Sequence, residues 1–224
     1  MKKNLTLSGM IPVAACIFAM IMQSCSNAPF ERTDDGMIIR LNGKSEYPGQ
    51  AVRLRVINER IIRVSAVPSG EFPETASLMA VAQPAGKTEF TIEKGEGDVT
   101  LSTSMLSAGV SLTTGEVKFT SNDGTVFLSE QEGAGRSFMP VMAMNETGYT
   151  VRQQFGSDPA EAIYGLGANQ TSFMNLRGKD ADLFQYNTLA VVPFIVSNRN
   201  YGILWDNNSR TRYGDIREWS ELSS

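Results

Sequence analysis

Residues 50–57 alternate without a break: Val52, Leu54 and Val56 fall on one side of an extended chain, Arg53 and Arg55 on the other. A period of two places one face in a core and the other in water, so this stretch reads as a half-buried β-strand. The signal then recurs. Asn58-Glu59 reads as a tight turn, and residues 61–67 return with Ile62, Val64 and Ala66 on one side, which makes a hairpin. Residues 37–41, 90–92 and 99–101 read as further strands, residues 109–120 as two strands around Thr114-Gly115, and residues 125–128 as a strand returning from an Asn122-Asp123-Gly124 turn. Residues 149–155 alternate again, with Tyr149, Val151, Gln153 and Phe155 on one face. No stretch keeps a helical period over three turns, and residues 106–112 contain Gly109, which costs a helix about 1 kcal/mol. Short strands about 8–12 residues apart with turns between them are the pattern of an all-β sandwich.

The first residues obey different rules. Met1-Lys2-Lys3 is a positive start, residues 5–22 are mostly apolar, and Gln23-Ser24-Cys25 follows. This is a signal-peptide pattern, a cleaved N-terminal signal helix over residues 1–24. The uninterrupted apolar run from Met10 to Met22 falls short of the roughly 20 residues a membrane helix needs. A small residue before Cys25, where apolar sequence gives way to polar, matches a bacterial lipoprotein cleavage box; the plainer reading is an ordinary signal with an incidental Cys. Lipid on Cys25 would attach the protein to the cell envelope as an exported lipoprotein, since several acyl chains together give stable anchoring. Residues 25–36 read as a polar tether, and residues 37–224 as the sandwich domain.

Composition narrows the chemistry. The formal net charge is −4, and loss of Lys2 and Lys3 with the leader makes it more negative, which argues against nucleic acid as a partner. The chain has no His and two Cys. Cys16 leaves with the leader, so no disulfide, no Ser-His-Asp or Cys-His catalysis and no His- or thiolate-bound metal is expected. No cofactor is expected either.

The stretch between Glu161 and Asp215, with residues 161–170 (EAIYGLGANQ), 183–188 (LFQYNT), 192–197 (VPFIVS) and 201–207 (YGILWDN), holds three short apolar runs separated by loops rich in Asn, Gln, Gly, Arg and aromatic residues. Strands bounded by such loops suit a polar ligand. Among the carboxylates here, Glu161 reads as a group that orients the turn into Tyr164-Gly165, and Asp206-Asn207 as a hairpin cap. Asp158, Asp215, Glu218 and Glu221 complete the set. Trp205, following Ile203-Leu204, reads as core; Trp219 fits either a core or a sugar platform.

These pieces, together with residues 60–67 (RIIRVSAV), 114–124 (TGEVKFTSNDG) and 128–130 (LSE), taken in order, resemble glycoside hydrolase family 31, and specifically the N-terminal, galactose-mutarotase-like β-sandwich that precedes its catalytic barrel. The resemblance covers about residues 37–215 and is similar to the α-xylosidases more than the α-glucosidases. It implies a carbohydrate partner, an α-xylosyl or α-glucosyl oligosaccharide, and a barrel encoded downstream. The family's two catalytic Asp lie in that barrel, and no βα alternation exists here to build one, so no catalytic residue carries over and the chain alone is expected to be inactive. Mutarotase chemistry, which resembles one run with His, is not expected either. The resemblance does place Gln185, Tyr186 and Asn187 in a loop that reaches the barrel mouth and walls a sugar subsite. The usual acid of that loop is replaced by Leu189, which removes a direct charge contact. The same three residues also suit a simple β-edge turn with Asn supplying local bonds. The rival to the glycosidase reading is a non-enzymatic glycan-binding or structural surface lipoprotein.

If Cys25 carries the anchor, Cys25→Ala moves the protein out of the membrane fraction on cell fractionation; a variant that stays with membranes as the parent does overturns the lipid reading.

Overall fold

The computed structural model describes residues 30–41, 50–69, 71–81, 88–133, 135–156, 158–168, 172–214 and, as backbone, 219–223. The signal helix and Cys25 lie outside the described residues. Every regular element described is a strand.

The first four strands are β1 (Phe30–Thr33), β2 (Gly36–Arg40), β3 (Ala51–Asn58) and β4 (Ile61–Val67), antiparallel in the order β1-β2-β3-β4. The tether expected over residues 25–36 is therefore shortened, because strand pairing begins at Phe30, with Phe30 opposite Ile39 and Thr33 opposite Gly36. Asp34 and Asp35, within the expected tether, make the turn between β1 and β2. Asp35 accepts from Thr33 Oγ1 at 3.1 Å and from Arg55 Nε at 2.7 Å, and its carbonyl accepts the amide of Val56 at 2.7 Å.

A second antiparallel sheet runs β5-β6-β7-β8-β9, with β5 (Thr91–Lys94), β6 (Asp98–Ser102), β7 (Leu106–Ser111), β8 (Val117–Ser121) and β9 (Val126–Ser129). The two sheets share one core. Met37, Ile39, Val52 and Leu54 from the first meet Val99, Leu101, Val110 and Val117 from the second, all fully buried. The alternation of residues 50–57 is what assembles this layer, since Val52 pairs with Ile39 and Ala66, and Leu54 with Met37 and Val64. Gly115, at φ 75°, closes the β7–β8 turn against this core, where a Cβ would sit 2.4 Å from Leu41 Cδ1. The Asn122-Asp123-Gly124 turn forms as its sequence asks, with Asp123 Oδ1 accepting the amide of Thr125 at 2.9 Å.

The remaining strands are β10 (Arg136–Ala143), β11 (Glu146–Gly156), β12 (Ile163–Ala168), β13 (Asp180–Leu183), β14 (Ala190–Ser197), β15 (Gly202–Leu204), β16 (Thr211–Gly214) and β17 (Trp219–Ser223). They form a five-stranded sheet, β10-β11-β17-β16-β13, and a three-stranded sheet, β12-β14-β15. Ile163, Leu166 and Ile195 from the smaller sheet pack with Leu183 and Tyr213 from the larger to make a second core. Trp205 packs against it, in line with the sequence reading. Within β12 the Gly165-Leu166-Gly167 run is a bulge. Leu166 takes φ 64° and turns its side chain fully into the core. Both flanking positions exclude a side chain, because a Cβ on Gly165 would lie 2.3 Å from the carbonyl oxygen of Phe194, and one on Gly167 2.0 Å from that of Ala190. On the opposite face of this sheet Tyr164, Val192, Phe194, Val196 and Leu204 are each nearly half exposed.

A buried ion pair joins the two sandwich layers. Arg136 on β10 pairs with Glu130, which follows β9, and also donates to the Gly115 carbonyl at 3.2 Å and to Gln153 Oε1 at 3.1 Å. The second oxygen of Glu130 accepts the amide of Val117 at 3.1 Å, and Glu130 forms a lone β-bridge with Phe155. Both charged side chains are 5% exposed. Burial pushes the Glu130 carboxyl up from 4.5 to about 7, against the pull of Arg136 and the Val117 amide.

A folded value above the unfolded one means that the stability contributed by Glu130 is fully present below pH 4.5 and is lost as pH rises through 7. At about 1.4 kcal/mol per unit, the shift is worth a few kcal/mol. Glu130→Gln, which keeps an acceptor for Arg136 without the proton equilibrium, is expected to flatten the unfolding free energy between pH 4.5 and 7, read from urea denaturation at a series of pH values.

Candidate functional site

The loop between β13 and β14 is built from its ends inward. Leu183 is anchored in the second core at 5% exposure. Asp182 on β13, and Phe184 and Tyr186 in the loop beyond it, are exposed. Phe184 and Tyr186 are 52% and 63% exposed. Their ring centroids are 5.9 Å apart at an interplanar angle of 36°.

Two backbone contacts close the loop. Gln185 Oε1 accepts the amide of Val191 at 3.2 Å, and the Tyr186 carbonyl accepts the amide of Leu189 at 3.1 Å. Asn187 sits at the turn with φ 51°, a left-handed conformation that Asn tolerates better than most residues. Of the three residues singled out from the sequence, Gln185 thus spends its side-chain oxygen inside the loop. Tyr186 and Asn187 project outward, and the Asn187 amide has no hydrogen-bond partner among the described residues.

The flank of the loop is charged. Arg210, immediately before β16, grips Asp182 with both ends of its guanidinium, the Nε–Oδ1 distance being 3.0 Å. Its Cζ lies 5.6 Å from the centre of the Phe184 ring. The bond from Arg210 holds the Asp182 carboxyl below its usual range, and the same bond holds the guanidinium above its own. Phe184 was missed in the sequence reading; the signal that finds it is the spacing of two aromatics, two apart, straight after a strand.

The acidic residues behave as structural groups. Glu161 is 5% exposed, accepts from the Ser197 hydroxyl and bonds the Tyr201 hydroxyl. Burial first, and this carboxylate second, push the Tyr201 phenol up. Glu161 lies at a cleft of about 200 Å³ bordered by Phe127, Asp158 and Arg199. Asp206 departs from its expected role as a hairpin cap. Its oxygens take Ser77 Oγ at 2.7 Å and Arg63 at 2.8 Å, which fastens β15 to β4 and to the loop before β5. Asn207 does cap locally, accepting the amide of Ser209 at 2.8 Å. Asp158 pairs with Arg199 and accepts the amide of Ala160 at 2.8 Å. The side chains of Asp215, Glu218, Trp219 and Glu221 lie outside the described residues.

Comparison with known proteins places this geometry among relatives. Residues 51–213 match the family described as the glycosyl hydrolase 31 N-terminal galactose mutarotase-like domain. An uncharacterized family 31 glucosidase of Pseudescherichia vulneris is 28% identical over 184 residues, which is 72% of this chain and 34% of that protein. The GH31 α-xylosidase of Xanthomonas citri superimposes with a TM-score of 0.77 at 40% identity, covering 84% of this chain and 20% of the other. A GH31 α-xylosidase from a soil metagenome, solved with xylose, gives a TM-score of 0.72 at 23% identity over 87% of this chain and 30% of its own, a likeness of fold. The chain thus spans about a third or less of the length of each.

The turn at Asn187 yields a stability prediction. Asn187→Gly is expected to be near neutral, whereas Asn187→Val should cost about 1 kcal/mol, because a β-branched residue resists a positive φ. Thermal or urea unfolding of the two variants checks it.

Proposed function

This chain belongs to the glycosyl hydrolase 31 N-terminal galactose mutarotase-like domain family, and on that premise we propose that it is the carbohydrate-associated domain of an α-glycosidase acting on α-xylosyl oligosaccharides. The likeness to the Xanthomonas citri α-xylosidase, at 40% identity, supports α-xyloside over α-glucoside as the substrate class. The observation that carries the sugar contact is the loop after β13. It is closed by its own bonds and leaves an aromatic ring and an unengaged amide in solvent, the pair of groups that meet the apolar face and the hydroxyls of a sugar.

Hydrolysis with retention needs two carboxylates about 5–5.5 Å apart, one a nucleophile and one a raised-pKa acid. Glu161 and Asp206 fit neither role, because each is saturated by structural partners: Ser197 and Tyr201 for the first, Ser77 and Arg63 for the second. In this reading the bond-breaking step belongs to the catalytic barrel of a longer protein, and this domain supplies one wall of its sugar subsite through Tyr186 and Asn187. Gln185 contributes by holding the loop shut. Lipid on Cys25 would keep the assembly at the cell envelope.

The purified chain is expected to release no xylose from 4-nitrophenyl α-xyloside. It should still bind xylose at about millimolar Kd or weaker, equivalent to roughly −4 kcal/mol, as seen by saturation-transfer NMR. Tyr186→Ala is expected to weaken that binding severalfold. Turnover above the blank that disappears in a folded Glu161→Gln or Asp206→Asn variant would overturn the proposal.

A further inference from the structure

We propose that Phe184 and Tyr186 form a single two-ring platform for the apolar face of a pyranose, and that the Asp182–Arg210 pair is the positioning device that sets it. The inference rests on the carbohydrate reading above and adds residues that the family match does not assign.

Phe184 and Tyr186 stand two apart in the loop that follows β13, and the loop brings their rings together. At 5.9 Å and 36° the rings lie side by side as a shallow trough, and both remain more than half exposed. Large aromatic rings left beside one another in water, with no covering element among the described residues, are the surface that sugar C–H groups stack on, because the ring face is negative and the C–H edge positive.

Exposed rings ordinarily swing. Here the register holds one of them: Leu183 pairs with Thr211 and Asp182 with Arg212, so Arg210 is carried to the strand end beside Phe184. Its guanidinium is fixed by two bonds to Asp182 and lies over the Phe184 ring at 5.6 Å. A planar, doubly bonded guanidinium restrains a ring in a way a flexible ammonium does not. As a surface ion pair it adds little to stability; the alignment of Phe184 is what it supplies. Tyr186 is then braced on one side by Phe184 and on the other by the Leu189 turn.

The test is saturation-transfer NMR titration of the full chain with methyl α-xyloside. Phe184→Leu keeps the apolar volume and removes the ring face, and it is expected to weaken binding roughly two- to tenfold, the worth of one aromatic contact. The Phe184→Leu, Tyr186→Leu double variant should lose less than the product of the two single losses, since the rings act as a unit. Arg210→Ala should weaken binding about two- to fivefold with the unfolding midpoint unchanged, and Arg210→Lys should restore little of it. If Tyr186→Leu weakens binding while Phe184→Leu and Arg210→Ala bind as the parent does, the platform is wrong and the loop reading survives. If the parent shows no saturation transfer at 100-fold molar excess and above, both fall.

Discussion

The ion pair of Glu130 and Arg136 is the contact on which the arrangement of the two layers depends. Two separate cores, each built from its own sheets, need contacts across the seam to hold a fixed relation to one another. The Glu130 carboxylate reaches from the end of β9 to a guanidinium on β10 and to a backbone amide of β8, and the same guanidinium takes the Gly115 carbonyl and Gln153. Every group in that network is satisfied, which is the condition under which a buried charge is tolerable. Removing one partner would strand the other in a dry interior, a far larger penalty than the pair itself contributes.

Asp206 does similar work at another seam, tying β15 to Arg63 on β4 and to Ser77. Phe127 and Tyr201, with ring centroids 5.9 Å apart, add an apolar contact between β9 and the turn before β15. The candidate sugar loop hangs from this framework by β13 and β14, with Arg210 against its Phe184 ring, and its outward groups take no part in either core. The domain can therefore alter what the loop presents without touching what holds the layers together.

Much of the first layer was legible in the sequence because its strands are local hairpins with a strict period of two, as in Val52, Leu54, Val64 and Ala66. The second layer was less so, for identifiable reasons. β10 carries Met139, Val141 and Met142 exposed beside buried Phe138, so its pattern mixes inside and outside. The run Gly165-Leu166-Gly167 looks like a turn, and only its pairing with β14 shows it to be a bulge. β11 pairs with β17 and β13 with β16, partners far apart along the chain that no local signal announces. In the loop, the resemblance singled out Gln185, Tyr186 and Asn187 together. That Gln185 folds back on Val191, and that Phe184 and Arg210 share the site, needed three dimensions.

The bulge in β12 has a consequence for how this domain can be re-engineered. Two glycines that admit no side chain lock β12 to β14 at fixed points, on either side of a leucine sunk in the core. A strand held that way cannot slip by a residue, whatever is done at its ends. Residues could then be inserted or deleted between β13 and β14 with the change confined to the loop itself. The β12–β14 pair is thus a ratchet stop, and the segment beside it is the natural place to graft a new recognition loop.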